Sequence, residues 1–381
     1  MQPRISMFDD WVDYFNEWQK AIGLDPRIAE GYLFEAKYGE LSSPEIQFGD
    51  YKGRKRWERI TEVPDQRIRD ALQHLIVYQG DTEFASVEQQ RKLLTTAPSE
   101  YDLGCLTRVM REEMRHGFQM CHVLVTQFGR SGRIDAQKQL ERRSWQNTRL
   151  LGSFNVDVDD WLDFYTYTEF VDRDGKFQLK MLTFSGFAPL ARSMGPMLRE
   201  EAFHLGTGHN GLKRVVKAGV VPIETLQRYF NKWVPTAYDL FGVDNSSSAH
   251  WAYVWGLKGR FDEDTNGAEA DRETLNDHAR NLYKEDVDRH IAALNAMLPA
   301  DGPKLAAPDM RFNRAIGEHA GGRYSVTGDP IDPARYAAYL ASVTPTTDDR
   351  RTLQAIFARP DWVAPPMAHH GPGGHTETAG G

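Results

Sequence analysis

Arg111-Glu112-Glu113-Met114-Arg115-His116 returns further along the chain as Arg199-Glu200-Glu201-Ala202-Phe203-His204. Both copies read Arg-Glu-Glu-x-x-His, and each lies in a stretch whose apolar spacing predicts a long helix. A Glu and a His three positions apart share one helical face, so Glu113 with His116, and Glu201 with His204, can each grip one ion. Glu112 and Glu200 are the alternatives, and the three-residue spacing favours Glu113 and Glu201. The spare glutamate and the arginine before it then become candidates for orienting a ligand, or else form a solvated pair. A single Glu-x-x-His is usually no more than a surface pair. Two copies point to a shared site if further carboxylates stand at the same height.

Working outward, Ala97-Pro98-Ser99 marks a turn, with Pro98 ending one helix and Ser99 capping the next. Glu113 lies 14 residues beyond Ser99, roughly 21 Å along the helix at about 1.5 Å per residue. An antiparallel partner at that height falls near position 83, where Glu83 stands. The second half repeats the construction across Ser185-Gly186-Phe187-Ala188-Pro189. Counting back from Glu201 lands near Asp172, with Glu169 and Asp174 also within reach of the count. Two Glu-x-x-His helices and two helices carrying one inward carboxylate each form a ferritin-like di-iron or di-manganese bundle. The fold class expected is therefore all-α: a ferritin-like four-helix bundle, N-terminal helices, and a mostly helical C-terminal extension. Four carboxylates and two imidazoles suit two divalent irons or manganese ions. Without metal, the carboxylates would repel one another and take up protons.

Composition sets outer bounds. The chain has 381 residues, 40% of them hydrophobic, and a net charge of -8. That is enough for a sizeable core. No apolar stretch is long enough for a membrane span, the N-terminus lacks an apolar signal core, and a cytoplasmic enzyme is expected. The mild acidity argues against nucleic acid. Cys105 and Cys121 fall on one helix, roughly 24 Å apart at helical rise, so they cannot pair. Two cysteines cannot hold an iron–sulfur cluster, and no dinucleotide-binding glycine motif follows a strand-like run. An oxygen-activating chain of this kind needs electrons from a separate reductase.

Taken in order, the chain divides into an N-terminal region (1–62), the bundle (63–220), a C-terminal extension (221–364) and a low-complexity tail (365–381) expected to be disordered. Residues 7–22 read as an aromatic helix closed by Gly23. Lys52-Gly53-Arg54-Lys55-Arg56 is a dense basic run, readable as a phosphate cradle or, more simply, as a solvated loop. Bundle helices are expected over about 64–96, 99–128, 159–184 and 190–217, with a kink or later start at Pro196. Gly80 suggests a loosened turn beside Glu83 or a packing choice, and Gly117 suggests room beside His116. The face carrying Leu106, Val109, Met110 and Met120 reads as the lining of a dry pocket or as ordinary core. Residues 129–156, with Arg142, Arg143, Ser144 and Trp145, read as a charged crossover. Helices are expected again over 222–241, 270–298, 333–342 and 347–358, with a hairpin over 321–332. His369, His370 and His375 are read as tail composition.

Gly80-Asp81-Thr82-Glu83, Asp172-Arg173-Asp174-Gly175-Lys176-Phe177 and Gly256-Leu257-Lys258-Gly259-Arg260-Phe261 resemble the benzoyl-CoA 2,3-epoxidase oxygenase components. Phe187-Ala188-Pro189-Leu190-Ala191-Arg192 through His204 is similar also to phenylacetyl-CoA epoxidase catalytic subunits. The resemblance covers roughly residues 40–265 and implies Asp172 as the third-helix ligand. The full set is then Glu83, Glu113, His116, Asp172, Glu201 and His204. It further implies two irons, O2, an aryl-CoA substrate, and NADPH-derived electrons delivered by a flavin and iron–sulfur reductase. The reaction implied is epoxidation of the aromatic ring. Another aromatic substrate, or an iron-oxidising protein with the same site, is the alternative. The chain as monomer or homodimer is left open.

Overall fold

The computed structural model describes residues 5–264 and 275–366. Its elements are helical, with no named strand among the described residues. The first helix, α1 (Phe8–Ala21), stacks Trp11, Phe15 and Trp18 in one buried row. Trp11 Nε1 donates to the Ala136 carbonyl at 3.1 Å and Trp18 Nε1 to Glu88 Oε1 at 3.3 Å, so the row is pinned at both ends.

The bundle consists of α2 (Gln66–Gln90), α3 (Glu100–Gln127), α5 (Trp161–Leu182) and α6 (Ala188–Ala218), with α4 (Gly129–Glu141) between its halves. Side-chain caps set the starts: Asp65 accepts from Arg67 N, Ser99 from Asp102 N, and Asp160 from Leu162 N and Asp163 N. α2 packs along α3, α5 along α6, and α3 faces α6. Short connections make each pair antiparallel, so its four inward faces meet at mid-height.

Three readings gain detail here. The charged connection after Gly129 begins as a helix, and its Arg142, Arg143 and Arg149 pair with the buried Asp81 and Glu88. Arg149, wholly buried, reaches Asp81 Oδ1 at 3.0 Å and Glu88 Oε1 at 2.8 Å, both on α2. Charge in this connection fastens it to the bundle, which composition alone cannot distinguish from solvation. Secondly, α6 starts at Ala188 rather than after Pro196 and stays helical through that proline. Proline frees the carbonyl four residues earlier, and that carbonyl, of Arg192, accepts the Gly39 N–H at 2.8 Å. Thirdly, the basic run is not wholly solvated. Lys52, Arg54 and Lys55 are exposed, but Arg56 is buried and donates to the Thr183 and Ser185 carbonyls at 2.9 and 3.1 Å. It staples the loop to the α5–α6 turn.

Beyond the bundle lie α7 (Ile223–Leu240), α8 (Ser247–Val254), α9 (Leu275–Asn295), α10 (Pro333–Val343) and α11 (Thr347–Phe357). α7 packs on α5, and α9 touches both α5 and α6. The expected start of the α9 helix at 270 lies outside the described residues, as do most of the tail and its three histidines. The expected hairpin is a tight turn with a bridge between Tyr324 and Pro330. No helix of the described residues is long and apolar enough to cross a membrane.

Candidate metal centre

Glu83 on α2, Glu113 and His116 on α3, Asp172 on α5, and Glu201 and His204 on α6 converge in the middle of the bundle. All six are buried, and both histidines have no exposed surface. Their donor atoms form two overlapping groups, Glu83–Glu113–His116 and Glu113–Asp172–His204, each within 4.8 Å. Glu113 belongs to both. Glu201 lies between them, with Oε1 3.5 Å from His116 Nδ1 and Oε2 3.4 Å from His204 Nδ1. Glu83 Oε2 is 3.3 Å from His116 Nδ1. Of the three carboxylates that counting left open on α5, Asp172 enters this cluster. Asp174 turns to Gln178, and Glu169 joins a different group.

The remaining glutamate of each motif crosses to the opposite histidine. Glu200 Oε2 is 2.8 Å from His116 Nε2, and Glu112 Oε2 is 3.1 Å from His204 Nε2. Neither is a solvated pair. Each is held by a cation other than the arginine before it: Arg115 on Glu200, and Arg108 on Glu112 at 2.8 Å. Arg111 turns away to the Ile28 carbonyl. Both imidazoles are thus fixed with Nε2 on a carboxylate and Nδ1 facing the cluster. The repeated spare glutamate was the available signal, but its partner sits on the other motif and no spacing within one helix reveals that.

The electrostatics describe a cluster crowded with buried negative charge. Burial, together with the charges of Glu83, Glu201 and Asp172, pushes the Glu113 carboxyl well above its ordinary value. Burial and Glu201 push Asp172 up as well. Burial works against the charged His204, but Glu201 and Glu112 outweigh it and raise its pKa. Burial would also raise Glu200, yet His116 and Arg115 hold it down to about 2. The cluster by itself must therefore gather protons. Asp172 Oδ2, Glu201 Oε2 and His204 Nδ1 are buried without a hydrogen-bond partner. Oxygen-rich donors with unused lone pairs suit two divalent ions, whose charge four carboxylates nearly balance.

A cavity of about 680 Å³ opens onto the cluster, touching Glu83, Glu113, Asp172 and Glu201. Its walls include Leu75, Tyr167, Val171 and Leu179, and its mouth carries Trp251 beside the exposed Arg67 and His74. The α3 face expected to line a pocket does not: Leu106, Val109, Met110 and Met120 are fully buried core. The Lys52–Arg56 run does not border the cavity either. Nor do the glycines leave space. A Cβ on Gly117 would stand 2.6 Å from the Phe84 ring, and one on Gly80 2.5 Å from Gln139 Oε1. Both are sites of close packing.

Residues 57–324 match the family model described as phenylacetic acid catabolic protein. The chain is 35% identical to "Benzoyl-CoA oxygenase component B" of Aromatoleum evansii, over 91% of this chain and 85% of that protein. It is 22% identical to a 1,2-phenylacetyl-CoA epoxidase subunit of Escherichia coli (strain K12), over 67% of this chain and 76% of the relative. Matched over most of its length, and folded as a ferritin-like helical bundle, the chain belongs to the phenylacetic acid catabolic protein family.

Proposed function

We propose that this protein is the oxygenase component of a multicomponent enzyme that inserts one atom of O2 into the ring of an aryl-CoA thioester such as benzoyl-CoA. The reading takes Glu83, Glu113, His116, Asp172, Glu201 and His204 as the ligands of two irons. The observation that carries it is the membership of Glu113 in both three-residue groups, which suits a carboxylate shared between two ions. The names of the two relatives support the substrate class and the oxygenase chemistry. Iron bound here would supply the activation of dioxygen, with electrons originating outside the chain.

The protein's own residues do the rest. Glu112 and Glu200 hold the imidazoles in the tautomer that presents Nδ1 to the cluster. The buried bundle excludes bulk water, which keeps the carboxylate charges strong. The cavity wall of Leu75, Val171 and Leu179 offers an aromatic ring an apolar berth beside Glu113 and Asp172. The mouth, with Trp251, Arg67 and His74, offers an aromatic surface, a guanidinium and an imidazole to the polar remainder of the thioester. A flavin and iron–sulfur reductase drawing on NADPH is the partner this reading requires, since two cysteines cannot hold a cluster.

The test combines reconstituted protein, ferrous iron, a reductase and benzoyl-CoA under isotopically labelled dioxygen. One labelled oxygen atom should appear in the thioester product. Oxygen consumption that is indifferent to every aryl-CoA offered would overturn the reading in favour of simple iron oxidation. Glu113→Ala and His204→Ala should lose iron and turnover together.

A further inference from the structure

Glu169 on α5, His209 on α6 and His290 on α9 form a second cluster, apart from the six residues above. His209 Nδ1 and His290 Nδ1 are 3.0 Å apart, with the rings nearly perpendicular at 82°. Glu169 Oε2 lies 3.6 Å from His209 Nδ1, and Glu169 Oε1 lies 3.3 Å from His290 Nδ1. Four-coordinate zinc with bonds of about 2.0–2.1 Å sets its ligand atoms about 3.3–3.4 Å apart. The two imidazole nitrogens and the Glu169 carboxylate, whose two oxygens each approach one of them, therefore stand close to that spacing, with all three donors within 4.8 Å of one another.

Two further features point to an ion. Glu169 is 1% exposed, and its Oε2 is buried with no hydrogen-bond partner, although His209 Nδ1 stands 3.6 Å from it. An unused carboxylate oxygen at that depth is costly unless a cation takes it up. Arg173 does not fill this role. Its Nη2 donates to Oε1 at 3.0 Å and stands 3.4 Å from His290 Nδ1, while Nη1 is held by Asp286 Oδ2 at 2.8 Å. The guanidinium can keep its contacts with Oε1 and Asp286 while an ion sits on Oε2. Asp286 Oδ1, bonded by Arg289 at 2.7 Å, lies 3.9 Å from His290 Nε2 and adds negative charge on the far side of that ring. The histidine side chains are 15% and 27% exposed, so the site opens to solvent on one side and leaves room for a water as fourth ligand.

We propose that Glu169, His209 and His290 bind one zinc-class divalent ion, which ties α9 to α5 and α6. Binding moves the proton between the two Nδ1 atoms onto an Nε2, with no change in net protonation. Glu169 is one helical turn from Asp172, so the ion also stiffens the stretch of α5 that enters the central cluster.

The iron-loaded, full-length protein is equilibrated with Zn2+, freed of loose metal, and assayed for zinc and iron beside His209→Asn and His290→Asn. Wild type should retain one zinc more than either variant at equal iron content, and its thermal midpoint should rise with zinc where theirs does not. Any zinc on His369, His370 or His375 is common to all three chains and cancels. Co2+ in place of zinc should give the visible absorption of a four-coordinate nitrogen–oxygen site, which the variants lack. Equal zinc in wild type and variants overturns the proposal, as does wild-type cobalt lacking that absorption. The cobalt spectrum needs only the wild-type chain, so its absence overturns the proposal even if neither variant folds. Because iron is counted separately, failure here leaves the reading of the central cluster untouched.

Discussion

Glu200, on α6, bonds the outer nitrogen of His116 on α3 at 2.8 Å, while its neighbour Glu201 approaches the inner nitrogen of the same ring at 3.5 Å. Adjacent glutamates thus do different work on one imidazole. Glu200→Ala should retain iron at roughly 10–100-fold lower affinity or activity, as expected when a ligand loses its orienting carboxylate. Glu113→Ala should lose the metal outright. Iron titration of both variants checks this, and an equal loss in the two would move Glu200 into the ligand set.

Arg149 is the buried cation between Asp81 and Glu88. Arg149→Met leaves two buried carboxylates with weaker compensation from Arg142 and Arg143. Breaking one side of a buried pair costs about 3–5 kcal/mol. Urea unfolding should show a loss of that order, and a change below about 1 kcal/mol would mean the charges are solvated after all.

Gly117 and Gly206 are helical glycines of opposite surroundings. A Cβ at 117 meets the Phe84 ring at 2.6 Å, whereas one at 206 meets nothing within 4 Å. Gly117→Ala should destabilise by about 1–3 kcal/mol through overpacking. Gly206→Ala should stabilise by about 0.5–1 kcal/mol through lost backbone freedom in the unfolded chain. The opposite signs, read from denaturation midpoints, are the check.

Lys258 borders the cavity, and its Nζ donates a hydrogen bond to Gln178 Oε1 at 2.7 Å. Burial lowers its pKa from 10.5 to about 8, and Asp174 offsets only part of that. Between those values the unfolded chain holds a proton that the folded chain has released, so stability rises with pH across the window. The wild-type midpoint should therefore gain on that of Lys258→Met as pH goes from about 8 to about 10. A constant difference would show that the amine is well solvated.

Much of the cluster was legible because a helix repeats every 3.6 residues: Glu-x-x-His twice, with Glu83 at a matching depth, is a one-dimensional pattern, whereas counting left Glu169, Asp172 and Asp174 open and only the family resemblance singled out Asp172. What escaped depends on contacts between distant segments. The Arg192 carbonyl that lets Pro196 sit inside α6 is satisfied by Gly39, far upstream. Gly117 looks like open space until Phe84 is placed against it. Glu169 shares a face with Asp172, yet its partners are His209 and His290, the latter on a helix beyond the bundle. Arg142, Arg143 and Arg149 look solvated in a sequence, because nothing local reveals that Asp81 and Glu88 await them.

The reciprocal bonds from Glu112 to His204 and from Glu200 to His116 record the sliding register of α3 against α6 twice, once in each direction. A single-residue insertion in either rod, between its motif and its cap, would turn the motif by about 100° and advance it about 1.5 Å. Both bonds would then fail together, however well the helix itself still formed. Changes of length that spare both bonds must therefore fall in the connections between rods, and the two motifs can be transplanted to another scaffold only as a matched pair.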